Sequence, residues 1–318
     1  MKRLLLVLAL IVVVVALSGC LQNQGQGGQP NESAIKASMI KATDNLSSYN
    51  FTATHNQTDT VNEYGNNNAA NMTIRSATSS VSASIDLAKL NAKADLITVT
   101  SLKTPGEAAT ISSSNGTQYN IGNITYTKMD GENWTQLKDP TPESLLWASG
   151  RYNALQSRAQ SINDTQISIL GSEVVDGQDC YKLNLVTNDT VYNQTLSDAV
   201  GSVIYPFVSN LNMTDLRKNS QVEALAWIEK DNSLIRRYEY HLKLSVIPDL
   251  VGVINLSSNQ IMMFNQSVKE SIKPVEVSID VSNAEHYYDF NQPMNIAPPM
   301  EALNTMPIVP VAIQNSTG

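Results

Sequence analysis

Apolar and polar residues alternate with a period of two along most of this chain, and a few stretches break that rhythm. Val81-Ser-Ala-Ser-Ile85-Asp-Leu87 and Ala92-Lys-Ala94-Asp-Leu96 alternate cleanly, which predicts strands with one covered face. Three hairpins follow from their turns. Ile124 to Met129 leads into Asp130-Gly131, then Trp134 and Leu137. Gln166 to Val175 leads into Asp176-Gly177, then Cys180 to Leu185. Ala224 to Glu229 leads through Lys230-Asp-Asn-Ser233 into Leu234 to Val246. Asp-Gly supplies the positive φ that tight hairpin turns require. Val275-Glu-Val277-Ser-Ile279-Asp-Val281 is the last clear strand.

Elsewhere the period lengthens to that of a helix. Ala34, Ile35, Ser38, Met39, Ala42 and Leu46 form one stripe, predicting an opening helix over 32–46. Pro142 to Gln160 reads as a second helix, with Thr141 as cap and Pro142 at its first position. Asp189 to Lys218 carries a broad apolar face from Val191 to Leu211. From Gln292 the chain is rich in Pro and Met, and Pro307 and Pro310 predict an extended tail. The order is helix, strands, helix, hairpin, helix, strands, without repeats and without a compositional break that would divide the chain.

The first residues follow neither period. Lys2 and Arg3 precede the wholly apolar run Leu4 to Leu17, shorter than the about 20 residues of a comfortable span. Leu17-Ser18-Gly19-Cys20 then matches a lipoprotein cleavage box, in which the Cys20 thiol receives the lipid. Two long chains on that residue would anchor the protein durably, at roughly 0.8 kcal/mol per buried CH₂. The Gln/Gly/Asn-rich stretch to Asn31 reads as a flexible tether.

Composition narrows the functions available. A formal charge of −8 over 318 residues argues against a nucleic-acid partner, which rewards a basic patch. Cys180 is the second of two cysteines, so no disulfide is expected within an exported chain; it reads as a small buried hydrophobe. Asn-x-Ser/Thr sequons recur at Asn56, Asn71, Asn115, Asn123, Asn133, Asn163, Asn188, Asn193, Asn212, Asn255 and Asn265, with further ones at Asn31, Asn45, Asn50 and Asn315. They are candidate N-glycosylation sites of an exported protein. A lipobox combined with dense sequons suggests an archaeal cell surface.

No catalytic constellation accompanies these features. His55, His241 and His286 fall in no metal-binding spacing, and there is no GxSxG elbow, phosphate-binding loop or calcium loop. No cofactor is expected. Six large side chains on neighbouring predicted strands remain: Tyr126, Met129, Trp134, Trp227, Tyr238 and Tyr240. They either fill a core or line a cavity for an apolar ligand; the sequence leaves both open.

Several segments together resemble the LolA/LolB-like lipoprotein-carrier superfamily, including the mycobacterial lipoglycan-carrier lipoproteins. They are the lipobox followed by a helix; Ile124-Thr-Tyr126-Thr-Lys128-Met129-Asp-Gly131 with Trp134; Glu173 to Gly177 with Cys180-Tyr181-Lys-Leu183; Trp227-Ile-Glu-Lys-Asp231; and Tyr288-Asp-Phe290 to Pro298. The resemblance implies an α+β fold, a strongly curved antiparallel half-barrel sheet with helices on its concave face, whose cavity holds acyl chains. It supplies no catalytic residue. The dense sequons and the tail beyond Pro299 depart from the family pattern. The organisation expected is a signal peptide over 1–20, a tether over 21–31, a half-barrel domain over 32–299 and a tail over 300–318. The function expected is that of a non-enzymatic monomer, lipid-anchored on the extracellular face of the cytoplasmic membrane, binding a lipid or lipoprotein acyl chains. A structural envelope lipoprotein, or an accessory subunit that binds peptide or polysaccharide, are the alternatives.

Overall fold

The structure is a computed structural model and describes residues 31–63, 72–186, 192, 213–246 and 275–308. The signal segment with Cys20, the tether up to residue 30, most of the expected 189–218 helix and the last residues of the tail lie outside them. Among the described residues no helix is long and apolar enough to cross a membrane.

Helix α1 (Glu32–Asp44) opens the fold, capped by the Asn31 side chain, which accepts from the Ser33 N–H at 3.0 Å. Six strands follow: β1 (Ser48–Glu63), β2 (Thr73–Asp86), β3 (Asn91–Lys103), β4 (Thr110–Ile121), β5 (Ile124–Met129) and β6 (Thr135–Lys138). Helices α2 (Glu143–Ala148) and α3 (Ala154–Asn163) lead to β7 (Gln166–Val175) and β8 (Gln178–Val186). Then come α4 (Met213–Lys218), β9 (Ser220–Glu229), β10 (Ile235–Val246), β11 (Val275–Tyr288), α5 (Met300–Leu303) and β12 (Pro307–Ile308). The strands form one sheet in the order β12-β6-β5-β4-β3-β2-β1-β11-β10-β9-β8-β7, antiparallel except for the parallel pair β12–β6. Its end strands do not meet, so the sheet is open.

The alternation read from the sequence becomes two chemically distinct faces. Tyr49, Phe51 and Ala53 of β1 point to the helix side, as do Tyr287 and Glu285 of β11, while their even-numbered neighbours point away. The Asp176-Gly177 turn is as predicted: Val175 pairs with Gln178, and both turn residues have positive φ (50° and 77°).

One buried cluster binds α1, α2 and α3 to strands from β3 to β7, through Ile35, Met39, Trp147, Leu155 and Ile162 on the helices and Tyr49, Ala92, Ile167, Leu183 and Tyr287 on the sheet. Strands β3 to β7 span seven spacings, about 34 Å if flat. A 13-residue helix is about 20 Å long. A common core therefore requires the sheet to curl around the helices. The fold is α+β: an open, curved half-barrel with its helices on the concave face.

The expected helix over 142–160 is in fact two. Gly150 takes φ +79°, a conformation that ends α2, and Asn153 starts α3 by accepting from the Gln156 N–H at 3.2 Å. Tyr49 locks this joint: its hydroxyl donates to Asn153 Oδ1 at 2.9 Å and accepts from the Leu155 N–H at 3.1 Å. Tyr49→Phe leaves that buried N–H without its acceptor, so a loss of about 1–3 kcal/mol is expected in a urea titration.

After β11 the chain crosses the helix end of the sheet as a strap. The Ser47 N–H donates to Asn291 Oδ1 at 2.9 Å, the Ser48 hydroxyl to Gln292 O at 2.6 Å, and Lys89 Nζ to Met294 O at 3.0 Å. The strap then forms the short helix α5 and pairs β12 with β6. The extended tail predicted from Gln292 is thus interrupted by a helical turn, because Ala302 finds a fully buried site.

Candidate ligand face

The six large side chains singled out in the sequence are not gathered into one cavity. Met129, Tyr238 and Tyr240 lie on the helix side. Tyr126 pairs with Tyr119 on the opposite face, and Trp134 packs against Tyr119 there, their ring centroids 5.9 Å apart. Trp227 also points outward, buried with Val175 and Cys180 and flanked by Lys182 and Arg237 at 5.0 and 4.8 Å from its ring centre.

What the helix side does gather is a graded series of rows across β1–β4. Nearest the helices, Tyr49, Ile85, Ala92 and Asn120 stand in register and are buried. The next rows are Phe51–Ala83–Ala94–Gln118 and Ala53–Val81–Leu96–Gly116, the latter continued by Met129. Beyond them come His55–Ser79–Thr98–Ser114 and Gln57–Ala77–Thr100–Ser112. The last row is Asp59–Arg75–Leu102–Thr110. So the face changes from apolar, through hydroxyl-bearing, to charged. The hydroxyls are paired across strands, Ser79 with Thr98 at 3.1 Å and Thr100 with Ser112 at 2.6 Å. Val81 and Leu96 are half-buried, yet lie outside the packed clusters formed by the described residues. At Gly116 a Cβ would come 2.7 Å from the Met129 sulfur, so the glycine makes room for that side chain to lie along the row.

Charges are sorted by face. The sheet's ion pairs point outward, across strands in Lys182–Glu173 at 3.0 Å and along one strand in Lys93–Asp95 at 2.7 Å and Arg237 with Glu239; His241 contacts Asp280 across strands on the same face at 2.8 Å. On the helix side of β1–β4 the described charges are Asp59 and Arg75, at the end farthest from the helices. Burial raises the Asp59 carboxyl above its usual range, against the Gln57 hydrogen bond and the Arg75 charge that hold it down.

One ion pair does sit under the helices. Arg158 of α3 donates to Glu285 of β11 through Nε at 2.9 Å and Nη2 at 2.5 Å. Its guanidinium lies 3.6 Å from the Tyr238 ring centre. Glu285 also accepts from the Tyr287 hydroxyl at 2.7 Å and from Asn283 Nδ2 at 2.9 Å. Burial opposes the carboxylate, but Arg158 and these donors outweigh it and hold Glu285 below its ordinary pKa. No local sequence signal links residues 127 positions apart.

The opposite face offers a shallow hollow of about 340 Å³, bordered by Thr54, Asn56, Glu223, Glu239, His241 and Ser282. Leu225, Tyr240 and Ala284 also line it. His286 contacts Asp176, while His55 stands on the helix side. Among the described residues no three His, Cys, Asp or Glu side chains come together as a metal site. Cys180 is fully buried and its thiol is pushed up to about 11 by that burial, reinforced by Glu229. Alkylation of Cys180 in the folded chain at neutral pH should therefore be far slower than in urea.

Of the candidate glycosylation sites, Asn56, Asn115, Asn133 and Asn163 are exposed. Asn123 is half-buried and its Nδ2 donates to Asp139 O at 2.9 Å. Asn71, Asn188, Asn193, Asn212, Asn255 and Asn265 lie outside the described residues.

No protein-family model matches the chain, and no curated protein matches it. Among solved structures it is similar to the lipoprotein LppX of Mycobacterium tuberculosis, with 14% identity over 85% of this chain and 100% of that one and a TM-score of 0.36. LprF from Mycobacterium bovis gives 14% identity over 86% and 99%, also at 0.36. A putative outer membrane lipoprotein-sorting protein domain from Vibrio parahaemolyticus gives 10% identity over 82% and 92%, at 0.21. At these TM-scores the likeness carries no argument about function.

Proposed function

We propose that the chain is a non-enzymatic binding protein that shelters the apolar part of a lipid, or the acyl chains of a lipoprotein, against the concave face of its sheet. The observation that carries this reading is the sorting of side chains by face. The paired charges of the strands go outward, while Phe51, Ala53, Val81, Ala83, Ala94 and Leu96 form a continuous apolar floor beside the helices. Neutral small side chains on both β2 and β3 leave depth for a chain to lie across them, and each buried CH₂ contributes about 0.8 kcal/mol. The hydroxyl rows beyond suit the polar end of the same molecule. The chain would work as a monomer held outside the cytoplasmic membrane by lipid on Cys20, at an archaeal type of cell surface, with glycans on exposed sequons such as Asn56, Asn133 and Asn163.

The test is extraction of the purified full-length chain for mass spectrometry, together with titration of a fluorescent fatty acid. Co-purified lipid, or saturable probe binding, is expected. Neither lipid nor probe binding would overturn the reading in favour of a structural envelope protein. The mass of the N-terminal peptide reports the Cys20 lipid separately.

A further inference from the structure

The outer face breaks its own rule in one quarter. Over β7–β11 it is covered by paired charges, but toward the β3–β4 hairpin it presents aliphatic side chains to solvent. Ile97 is 52% exposed, Val99 40% and Ile111 70%. Ile97 and Val99 are neighbours on one face of β3, and Ile111 stands opposite Ser101, one step beyond Val99 on that face. Leu102, 46% exposed, adds a fourth aliphatic at the same hairpin end from the concave side. The surrounding outward residues are Ser76, Thr78, Ser80, Ser101, Ser113 and Asn115, all uncharged. Lys103 is exposed beside this stripe, opposite Ile74, and makes no ion pair among the described residues. The exposed Arg75 stands one residue from Ile74. Glu107, in the hairpin turn, accepts from the Thr104 hydroxyl at 2.6 Å.

We infer that this end of the sheet, through Ile97, Val99, Leu102 and Ile111 with Lys103, docks onto the surface of a lipid bilayer that carries anionic headgroups. Contiguous exposed aliphatics on a soluble face mark a contact surface. A second copy of the chain is a poor occupant, because four part-exposed side chains fall far short of the about 800 Å² per partner of a stable dimer. A bilayer needs no such area. Aliphatic side chains enter the headgroup boundary, and a lysine stem reaches past them to an anionic headgroup. Lys103 and Arg75 balance Glu107 and Asp59 at this end, so in a chain of net charge −8 it is a part that an anionic surface does not repel. The docking end is also the end of β1–β4 farthest from the helices, where the concave face opens. The inference does not depend on what that face binds.

The experiment uses the full-length chain with Cys20→Ser, so that its N-terminal segment associates it with vesicles whether or not lipid is normally attached. A single cysteine is introduced as Ile111→Cys, or as Leu170→Cys on the far edge strand, and labelled with a dye that brightens in apolar surroundings. Buried Cys180 stays unlabelled. With phosphatidylcholine–phosphatidylglycerol vesicles, emission at position 111 is expected to rise several-fold and at position 170 to change little. Lys103→Glu should reduce that rise severalfold. Ile97→Ser with Val99→Ser should abolish it while leaving fatty-acid binding intact. Equal responses at both positions would overturn the inference. So would a rise at position 111 that follows protein concentration without vesicles, which would assign the stripe to a second copy.

Discussion

Replacing Arg158 with methionine is expected to destabilise the protein by about 3–5 kcal/mol at pH 7. The cost does not come from losing attraction, since a buried pair offsets most of its own desolvation. It comes from leaving Glu285 ionised beneath α3, with Tyr287 and Asn283 as its remaining donors. Methionine keeps an apolar stem of similar length but also gives up the guanidinium over Tyr238. The pH dependence identifies the cause. In the native chain Glu285 titrates below its unfolded value, so its contribution is present above about pH 4.3 and is lost as pH falls through the lower folded value. In Arg158→Met burial is opposed by the Tyr287 and Asn283 donors alone, so the folded carboxyl titrates higher than in the native chain and the variant recovers stability relative to wild type as the pH is lowered. Urea titrations of both chains at neutral and mildly acidic pH measure this. A deficit that stays constant with pH would show that packing, not charge, holds α3 in place. Adding Glu285→Leu to Arg158→Met should restore much of the loss, because an apolar pair of similar volume removes the stranded charge.

Leu96→Glu is expected to weaken fatty-acid binding by at least about tenfold, equal to 1.4 kcal/mol, with little effect on folding. Leu96 stands between Val81 and Gly116 in the middle of the apolar floor, half-buried and outside the packed clusters. A carboxylate there keeps its water while the floor is empty, and must shed it when an acyl chain lies down. The penalty therefore falls on binding. Ile97→Glu, one residue along on the opposite face, is the matched control and should leave fatty-acid affinity unchanged. Similar losses from both variants would place the guest elsewhere, and titration of the same fluorescent probe decides it.

The architecture was legible in the sequence because the strand period is long and regular, and because Asp176-Gly177 fixes one turn and its register. The break at Gly150 and Asn153 was also written there, as a helix-ending glycine followed by a capping residue. It was obscured because apolar positions continue through Leu155 at helical spacing. The ligand face was harder to read. In Ala224 to Ile228 every residue is apolar, so the run does not reveal that Trp227 and Leu225 face away from Ala224, Ala226 and Ile228. In Ile124-Thr-Tyr126-Thr the larger side chains suggest an inward face, yet the threonines point inward: Thr125 bonds to Asn120 on the helix side. Bulk misled where parity decided. The floor itself is built of small residues, which draw no attention singly and acquire meaning when the register sets them side by side. Arg158 and Glu285 come together solely through the tertiary fold.

The partnership of β1 with β11 reaches beyond static architecture. Asn50 faces Tyr288 and Glu63 faces Val275, so the strand made almost last is inserted beside the strand made first. A ribosome that stops before residue 275 does not release a protein with a frayed border. It releases two ribbons, β1–β6 and β7–β10, with no strand between them. Each then exposes a long unpaired edge of the kind that recruits other chains. Completion of synthesis, more than any early nucleus, is the moment at which this molecule becomes safe from aggregation.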